Sequence, residues 1–253
     1  MKIQQNYSYQ VMEVCLLAGK IMLISGAETY RIEDTMMRIA ASYGVKKSHS
    51  YVTPTGIIFS IESNEPTKTK LIRIMERTTD LDKVANVNSI SRKISNGDLN
   101  VEEAYDLLKE IEDAPSTYSL LLQVIAASIA SGCFMIMFQG QWGDFFPAVL
   151  AGGSGFLAVI YFHRLVPIKF FAEFLAAFII GLLAYLFVKI GFGMEMDKVI
   201  IGSVMPLVPG LLITNAVRDL MAGHLISGLS KGAEAFLTAF AIGSGIAVVF
   251  SLF

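Results

Sequence analysis

The chain has 253 residues, of which 54% are hydrophobic and 17% are charged, and its formal net charge is −2. The apolar share is high for a soluble globular protein. The charges are unevenly placed, because residues 1–117 hold 14 of the 20 Lys and Arg and 16 of the 22 Asp and Glu. This composition excludes a wholly soluble fold. It predicts an α+β domain in residues 1–117 and an integral membrane α-helical domain with five transmembrane helices in residues 118–253.

Two helices are predicted at the start of the chain. The first covers residues 7–24, and because Glu13 and Lys20 interrupt its apolar residues, we expect a helix of a soluble domain rather than a signal peptide. The sequence Ser-Gly-Ala-Glu at 25–28 matches a capping box, in which serine and glutamate satisfy free backbone N–H groups. It predicts the start of a second helix, which apolar residues at helical spacing continue until Gly44.

A small sheet and two further helices complete the predicted domain. Residues 51–53 and 56–61 are rich in β-branched and aromatic side chains, and residues 71–75 are a third candidate strand. Helices are predicted over 81–94 and 101–112, the latter after an Asn-x-x-Glu capping pattern.

Five apolar stretches are each long enough to cross a bilayer as a helix, which takes about 20 residues. They cover residues 118–138, 145–163, 168–189, 199–215 and 232–253. The fourth is interrupted by Pro206, Pro209 and Gly210, and a broken helix at membrane depth is tolerated only where it faces protein or a water-filled cavity. We therefore expect a transport site at this break, with a packing kink as the alternative.

Small residues predict where the membrane helices approach one another closely. Ala235, Ala239, Gly243 and Ala247 recur at a spacing of four residues, and the sequence Gly-Gly-Ser-Gly occupies 152–155. Such patterns let two helix backbones come close, so we expect these positions to face protein rather than lipid.

The basic residues of the short loops predict the orientation in the membrane. With residues 1–117 inside, the interior loops hold Arg164, Lys169, Arg218 and Lys231, whereas the exterior span edges hold Lys189 and Lys198. Because Lys and Arg are enriched on the cytoplasmic side, we predict a multi-pass protein of the cell (plasma or inner) membrane. Its N-terminus is expected in the cytoplasm and its C-terminus outside.

The polar residues in and after the break are the predicted substrate-binding residues. Peptide groups left unpaired by the prolines, together with hydroxyl, amide and charged side chains, can contact a carboxylate or a zwitterion. The candidates are Ser203, Pro206, Pro209, Gly210, Thr214, Asn215, Arg218, Asp219, Glu234 and Thr238. For Arg218, the alternative is an anchor at the membrane edge that pairs with Asp219.

The N-terminal domain contains a second candidate site formed by Glu28, Thr29 and Arg31, although helix capping alone would account for Glu28. The sequence has no phosphate-binding loop of the G-x-x-x-x-G-K-[ST] type and no His/Cys cluster with metal-ligand spacing. We therefore predict no catalytic residue, no metal and no cofactor.

Three segments carry a resemblance to a known family. They are Ser-Gly-Ala-Glu-Thr-Tyr-Arg at 25–31, Thr-Pro-Thr-Gly at 53–56, and Met-Pro-Leu-Val-Pro-Gly with Thr-Asn-Ala-Val-Arg-Asp-Leu between 205 and 220. The chain resembles the threonine/serine exporter family through nearly its whole length. The resemblance implies export of threonine, serine or, in some relatives, a small dicarboxylate such as succinate, driven by an ion gradient.

The resemblance also implies a partner. Long members of the family have a second block of membrane helices, so this chain resembles the larger subunit of the split version. Its partner is then a short membrane protein with four or five spans, or a second copy of the chain; no nucleic-acid partner is expected. Two other functions are left open: a membrane-anchored hydrolase whose N-terminal domain is catalytic, and a membrane-anchored metabolite sensor.

Overall fold

The structure, a computed structural model, describes residues 2–62, 67–115, 118–166, 168 and 170–253. The chain forms two compact units. The first is built from Met1–Thr117 and Leu211–Gly232, and the second from Tyr118–Gly210 and Ala233–Phe253. The first unit therefore includes a segment that lies beyond residue 117.

The first unit is organised around α1 (Lys2–Ile24), which packs against α2 (Thr29–Ser42), α3 (Leu81–Asn96), α4 (Val101–Asp113) and the sheet. By length and apolarity α1 could itself cross a membrane, but 56% of its residues 7–24 are buried within the protein, against 22–33% in the four other such helices. A helix that is apolar all round and enclosed by its own unit is a core helix. We therefore treat α1 as a core helix of the first unit.

The sheet has three antiparallel strands in the order β1 (Lys47–Thr53), β2 (Gly56–Glu62) and β3 (Lys68–Arg73). In β2 the side chains of Ile57, Phe59 and Ile61 alternate into the core, as the two-residue period of a strand requires. The predicted strands at 51–53 and 56–61 are confirmed. The third strand begins earlier than predicted and ends at Arg73.

Local end signals define the helices of this unit. The capping box predicted before α4 is confirmed, because Asn100 accepts from the Glu103 N–H and Glu103 accepts from the Asn100 N–H, each at 2.9 Å. Gly44, which ends α2 as predicted, has a φ of +83°, a conformation that L side chains rarely adopt.

The second unit is a bundle of apolar helices: α5 (Leu120–Met137), α6 (Phe145–Leu165), α7 (Phe171–Lys189), α8 (Met196–Val204) and the part of α10 (Leu225–Leu252) beyond residue 232. A 3₁₀ turn, Met205–Leu207, follows α8, and α9 begins at Gly210 and ends at Met221. Each predicted span thus has a counterpart, with the fourth interrupted as predicted. Within the described residues, five helices are long and apolar enough to cross a membrane, and α1 is one of them. The broken pair, α8 with its 3₁₀ turn and α9, raises this number to six if it counts as one span.

Close packing at the predicted glycines of α6 is confirmed. A Cβ added at Gly152 or at Gly153 would lie 2.0 Å from the hydroxyl of Ser131 or Ser128 of α5, and one at Gly155 would lie 2.3 Å from Ile180 of α7. These glycines therefore let α6 approach both neighbouring helices, as small residues do in membrane bundles.

Within this chain, the ridge predicted on the last helix is buried only at Ala235. Nothing lies within 4 Å of a Cβ built at Gly243, whereas one at Gly245 would lie 2.4 Å from the Phe174 carbonyl of α7. The packed face of α10 includes Thr238, Ile242 and Gly245, at spacings of three and four residues rather than strictly four. Because 3.6 residues make one turn, a strict four-residue repeat drifts away from the contact.

The prediction of a loop between residues 215 and 232, before the last span, is wrong, because two helices occupy most of this segment. Arg218 lies in α9 and Lys231 in α10, and only residues 222–224 separate the two helices. Of the other basic residues used for the topology, Lys169 lies outside the described residues. Asn215, Asp219, Ser227 and Lys231 are the buried polar residues of these two helices.

Candidate functional site

The start of α2 is not closed by the predicted capping box. Glu28 is the N-cap residue, but its side chain makes no capping hydrogen bond. Asp219 of α9 takes that place: the Thr29 backbone N–H donates to Asp219 Oδ1 at 3.0 Å, and the Thr29 hydroxyl donates to Oδ2 at 2.8 Å. A carboxylate at a helix N-terminus is favourable because the free N–H groups carry partial positive charge.

Lys231 of α10 completes this arrangement as a buried ion pair. Its Nζ donates to Asp219 Oδ2 at 2.7 Å and to Thr29 Oγ1 at 3.2 Å, and the two charged side chains are 3% and 0% exposed. The Ser227 hydroxyl lies 2.8 Å from that of Thr29. We call Thr29, Asp219, Ser227 and Lys231 the Asp219 cluster. It joins α2 to α9 and α10 within the first unit.

Beside the cluster, the Glu28 carboxylate is held between two arginines. Arg218 Nη1 donates to Glu28 Oε1 at 2.5 Å, and Arg31 Nη1 donates to Oε2 at 3.1 Å. Burial raises the pKa of Glu28, but its backbone N–H and the two guanidinium groups outweigh burial and hold the pKa below its ordinary value. The Glu28 side chain is 8% exposed, whereas those of Arg31 and Arg218 are 40% and 56% exposed. The predicted alternative in which Arg218 pairs with Asp219 is wrong, because the partner of Arg218 is Glu28.

The two faces of α9 have different surroundings. Asn215 and Asp219, one turn apart, are buried, and the Asn215 side-chain amide donates to the Gly26 carbonyl at 2.9 Å. Thr214 and Arg218 are exposed on the other face. Thr214 and Arg218, which are one turn apart, thus share the outward face of α9.

A second acidic group lies near Asp219. Glu33 Oε1 accepts from the Val52 N–H at 2.8 Å, and its Oε2 lies 3.8 Å from Nδ1 of His224. Burial raises the pKa of the Glu33 carboxyl and the charge of Asp219 raises it further, against the opposing effects of the Val52 N–H and His224.

The proline break lies in the second unit. A proline at position i removes the hydrogen bond to the carbonyl at i−4, which concerns Gly202 for Pro206 and Met205 for Pro209. Both carbonyls have other donors: Gly202 accepts from the Met205 N–H, and Met205 accepts from the Val208 N–H at 3.2 Å. These peptide groups, predicted to be unpaired, are therefore satisfied by tighter 3₁₀ bonds.

The remaining candidates in this unit are on two helices. Ser203 is fully buried and donates to the Ala148 carbonyl of α6 at 3.1 Å. Glu234 and Thr238 lie one turn apart on α10, and Thr238 is buried. Leu207, in the 3₁₀ turn of the break, packs with Ile180 of α7 and Ile242 of α10.

The structure thus brings Glu28, Thr29, Arg31, Asn215, Arg218 and Asp219 together in the first unit, joining two candidate sites that the sequence treated separately. Sequence reasoning missed Ser227 and Glu33, and it used Lys231 only as a topology marker. The available signal was Lys231 itself, a cation in an apolar helix, which requires a partner. Among the described residues, no group of three or more His, Cys, Asp or Glu side chains could hold a metal ion.

Comparison with known proteins places the chain in a family. The model of a family described as putative threonine/serine exporter matches residues 13–253. The chain belongs to this family. It is 24% identical to a probable threonine/serine exporter of Mycobacterium tuberculosis over 94% of its own length and 45% of that protein.

The chain covers different shares of two further relatives. The chain is 23% identical to the probable succinate transporter subunit YjjP of Escherichia coli, covering 99% of itself and 97% of that protein. It is 21% identical to the threonine/serine exporter of Corynebacterium glutamicum, covering 93% of itself and 50% of that protein. The chain therefore spans about half of the exporters and nearly all of the subunit. No solved structure matches the chain. The family and the apolar helices together indicate a multi-pass membrane protein of the transporter type.

Proposed function

We propose that the chain is a subunit of a secondary-active exporter of small carboxylate-bearing metabolites, either threonine and serine or a dicarboxylate such as succinate. Membership of the exporter family and the names of the relatives support this function. The structural observation that carries it is the interruption between α8 and α9 in an otherwise apolar helix pair. We propose a cytoplasmic N-terminus and an exterior C-terminus.

The solute is proposed to bind at this break. Backbone that leaves the helical conformation inside a membrane must be enclosed by protein or line a water-filled cavity, and Leu207 of the break is packed against α7 and α10. The C-terminal end of α8 carries partial negative charge and the N-terminal end of α9 partial positive charge. Two such ends suit the ammonium and carboxylate of an amino acid. The proposed contacts are Ser203, Pro206, Pro209, Gly210, Glu234 and Thr238.

In the first unit, Thr214 and Arg218 are kept as proposed contacts for a carboxylate because their side chains are exposed. Glu28 and Arg31 are proposed to set the charge around Arg218. Asn215, Asp219 and Thr29 are not included, since their polar atoms hold α2 and α9 together.

A second subunit is proposed to complete the pathway. The chain matches nearly all of a relative that is named a transporter subunit and about half of two relatives that are named exporters. A short membrane protein with four or five spans, or a second copy of this chain, would supply the remaining helices. An odd number of spans lets two such halves lie in opposite orientations, as in inverted-repeat transporters.

Transport in sealed vesicles tests the function. Inside-out membrane vesicles would be prepared from cells that express the chain, with and without a candidate short membrane protein of four or five spans. They would be given labelled threonine and labelled succinate under an imposed ion gradient. We expect one of the two solutes to accumulate above the level in vesicles that lack the chain. Absence of accumulation for both solutes, with the protein present in the membrane, would exclude this exporter function.

The hydrolase alternative gains no support from the arrangement of side chains. The segment 228–232 matches the letters G-x-S-x-G, but it lies inside α10, whereas a nucleophile elbow needs a sharp strand-to-helix turn. Ser227 and Lys231 both contact Thr29, yet Ser227 is buried and Lys231 is held by Asp219. A paired ammonium cannot accept a proton from serine.

A further inference from the structure

A cavity of about 290 Å³ lies between α1 and α4 in the first unit. Its lining combines aromatic rings with carboxylates: Tyr9 and Glu13 of α1, and Glu102, Tyr105 and Asp106 of α4. Both tyrosines are exposed, so their rings are accessible from water. Two exposed aromatic side chains that share one cavity, unlike aromatic side chains scattered singly over a surface, indicate a binding surface.

The charge of the cavity selects the class of ligand. Glu102 and Asp106 lie one turn apart on α4 and are exposed, and neither has an ion-pair partner among the described residues. The described residues that line the cavity include no lysine or arginine. Such a surface attracts a cation and repels a carboxylate, so it is unsuited to succinate and to the carboxylate of threonine.

Lys70 of β3 shows how this surface holds a cation. Its ammonium forms a hydrogen-bonded ion pair with Glu13 and lies 5.6 Å from the centre of the Tyr9 ring, within the range of a cation–π interaction. The hydrogen bond to Glu13 raises the pKa of Lys70 and so favours its charged form. Lys70 thus contacts the α1 wall of the cavity. The α4 wall, with its own ring and carboxylates, offers the same chemistry to a cation from solution.

A second cavity, of about 430 Å³, adjoins the first, because Gln10, Val101 and Glu102 line both. Apart from Glu102, its polar side chains are uncharged: Tyr7, Gln10, Ser42, Tyr43 and Asn100. Hydroxyl and amide groups of this kind can hydrogen-bond an uncharged polar group. A ligand that extends across both cavities therefore meets negative charge and aromatic rings at one end, and neutral hydrogen-bonding groups at the other.

We propose that the two cavities form a binding site for a small organic cation, namely a substituted ammonium group carried on an uncharged polar body. The ammonium lies against the Tyr105 ring beside Glu102 and Asp106, and the polar body extends past Gln10 toward Tyr43. This site shares no residue with the proposed solute contacts, and its ligand has the opposite charge to a solute carboxylate. The proposal is therefore independent of the exporter function.

Choline and 3,3-dimethyl-1-butanol are the probes for this site. They have the same shape and the same hydroxyl group, but only choline carries a positive charge. Binding to the purified full-length chain in detergent micelles would be titrated by saturation-transfer NMR. We expect saturable binding of choline and roughly fivefold or more weaker binding of the neutral alcohol, because the alcohol gains neither the cation–π nor the ionic attraction.

Matched variants separate the cavity from the general negative charge of α4. Tyr105→Phe keeps the ring and should bind choline as the unaltered chain does, whereas Tyr105→Leu should weaken binding roughly two- to fivefold. Glu102→Gln removes a carboxylate from the lining and should also weaken binding. Glu110→Gln removes the same charge from the exposed surface of the same helix, outside the cavity, and should leave binding unchanged. Lys70→Met removes the ammonium that competes at the α1 wall and should strengthen binding.

Protection of the buried Cys15 from a thiol reagent checks that each variant is folded. Equal binding of choline and the neutral alcohol would overturn the proposal, because the contact would then be hydrophobic. Equal losses in Glu102→Gln and Glu110→Gln would also overturn it, since binding would then be a diffuse counter-ion effect. Absence of saturable choline binding would do the same. None of these outcomes bears on export, which the vesicle assay tests separately.

Discussion

Replacing Asp219 with alanine should loosen the whole first unit. The substitution leaves the Lys231 ammonium buried without its counter-charge and removes the acceptor for the Thr29 N–H at the start of α2. Removing one partner of a buried ion pair costs roughly 3–5 kcal/mol. Loss of a helix cap typically adds about 1 kcal/mol.

Two variants separate the charge from the cap. In the double variant Asp219→Ala with Lys231→Met, both charges are gone, so we expect most of the loss to be recovered and a deficit of about 1 kcal/mol to remain for the cap. The control Asp34→Ala breaks the exposed pair with Arg38 on α2, and exposed helix pairs of this kind are worth about 0.3–0.5 kcal/mol.

Cys15 provides the assay. Its side chain is fully buried in α1, and burial raises the pKa of its thiol, so that a thiol reagent modifies it only after the unit opens. Labelling would be followed by mass spectrometry in a Cys133→Ser background, because Cys133 is exposed. At roughly tenfold for each 1.4 kcal/mol, the combined loss of about 4–6 kcal/mol in Asp219→Ala should speed Cys15 labelling by about 700-fold to about 20,000-fold. The Asp34→Ala control should change it about twofold.

The reasoning fails if Asp219→Ala labels within about threefold of its background, because the ion pair would then contribute no more than an exposed one. It also fails if the double variant is as labile as the single one. In that case the damage would come from lost packing around α9 rather than from an unpaired ammonium.

Three further predictions concern topology and the proposed solute contacts. Single cysteines would be introduced at Ser95 and at Gln141, both exposed in the structure, in a cysteine-free background. An impermeant thiol reagent on intact cells should label only the cysteine at Gln141. The reverse pattern would invert the proposed orientation. Pro206→Ala with Pro209→Ala restores two backbone donors, since each proline costs about 3 kcal/mol in a helix interior. This double variant should abolish export while leaving the protein in the membrane. Normal export would show that the break is a packing kink. Arg218→Lys keeps the charge but loses the planar guanidinium that can donate two parallel hydrogen bonds to a carboxylate. Efflux of labelled threonine or succinate should therefore fall sharply at equal expression. Near-normal efflux would remove Arg218 from the proposed contacts.

Elements with local signals were predictable from the sequence. The start of α4 depends on Asn100 and Glu103, three residues apart, and the strands depend on alternating apolar residues around a tight turn. The fourth span carries its own prolines, so its interruption could be read directly. In each case the residues that decide the structure are neighbours in the chain.

Elements whose partners are distant were not predictable in the same way. The acceptor that closes the start of α2 is Asp219, 190 residues away from Thr29, so the sequence offered Glu28 in its place. The sequence predicts a loop between Asn215 and Lys231, because its polar residues separate the apolar stretches of the fourth and fifth spans. Those polar residues are compatible with helices because they contact one another and α2.

The Asp219 cluster also changes how the chain divides. Residues 1–117 contain the Thr29 N–H and the Gly26 carbonyl, but the groups that satisfy them belong to Asp219 and Asn215. A buried polar group without a hydrogen-bond partner destabilises a fold. Residues 1–117 therefore do not form a complete α+β domain by themselves. Its buried polar groups require the segment Leu211–Gly232, which the chain reaches only after passing through four apolar helices. Hydrogen bonds therefore link the N-terminal region to α9 and α10. We expect a displacement of either helix to alter the contacts at the start of α2.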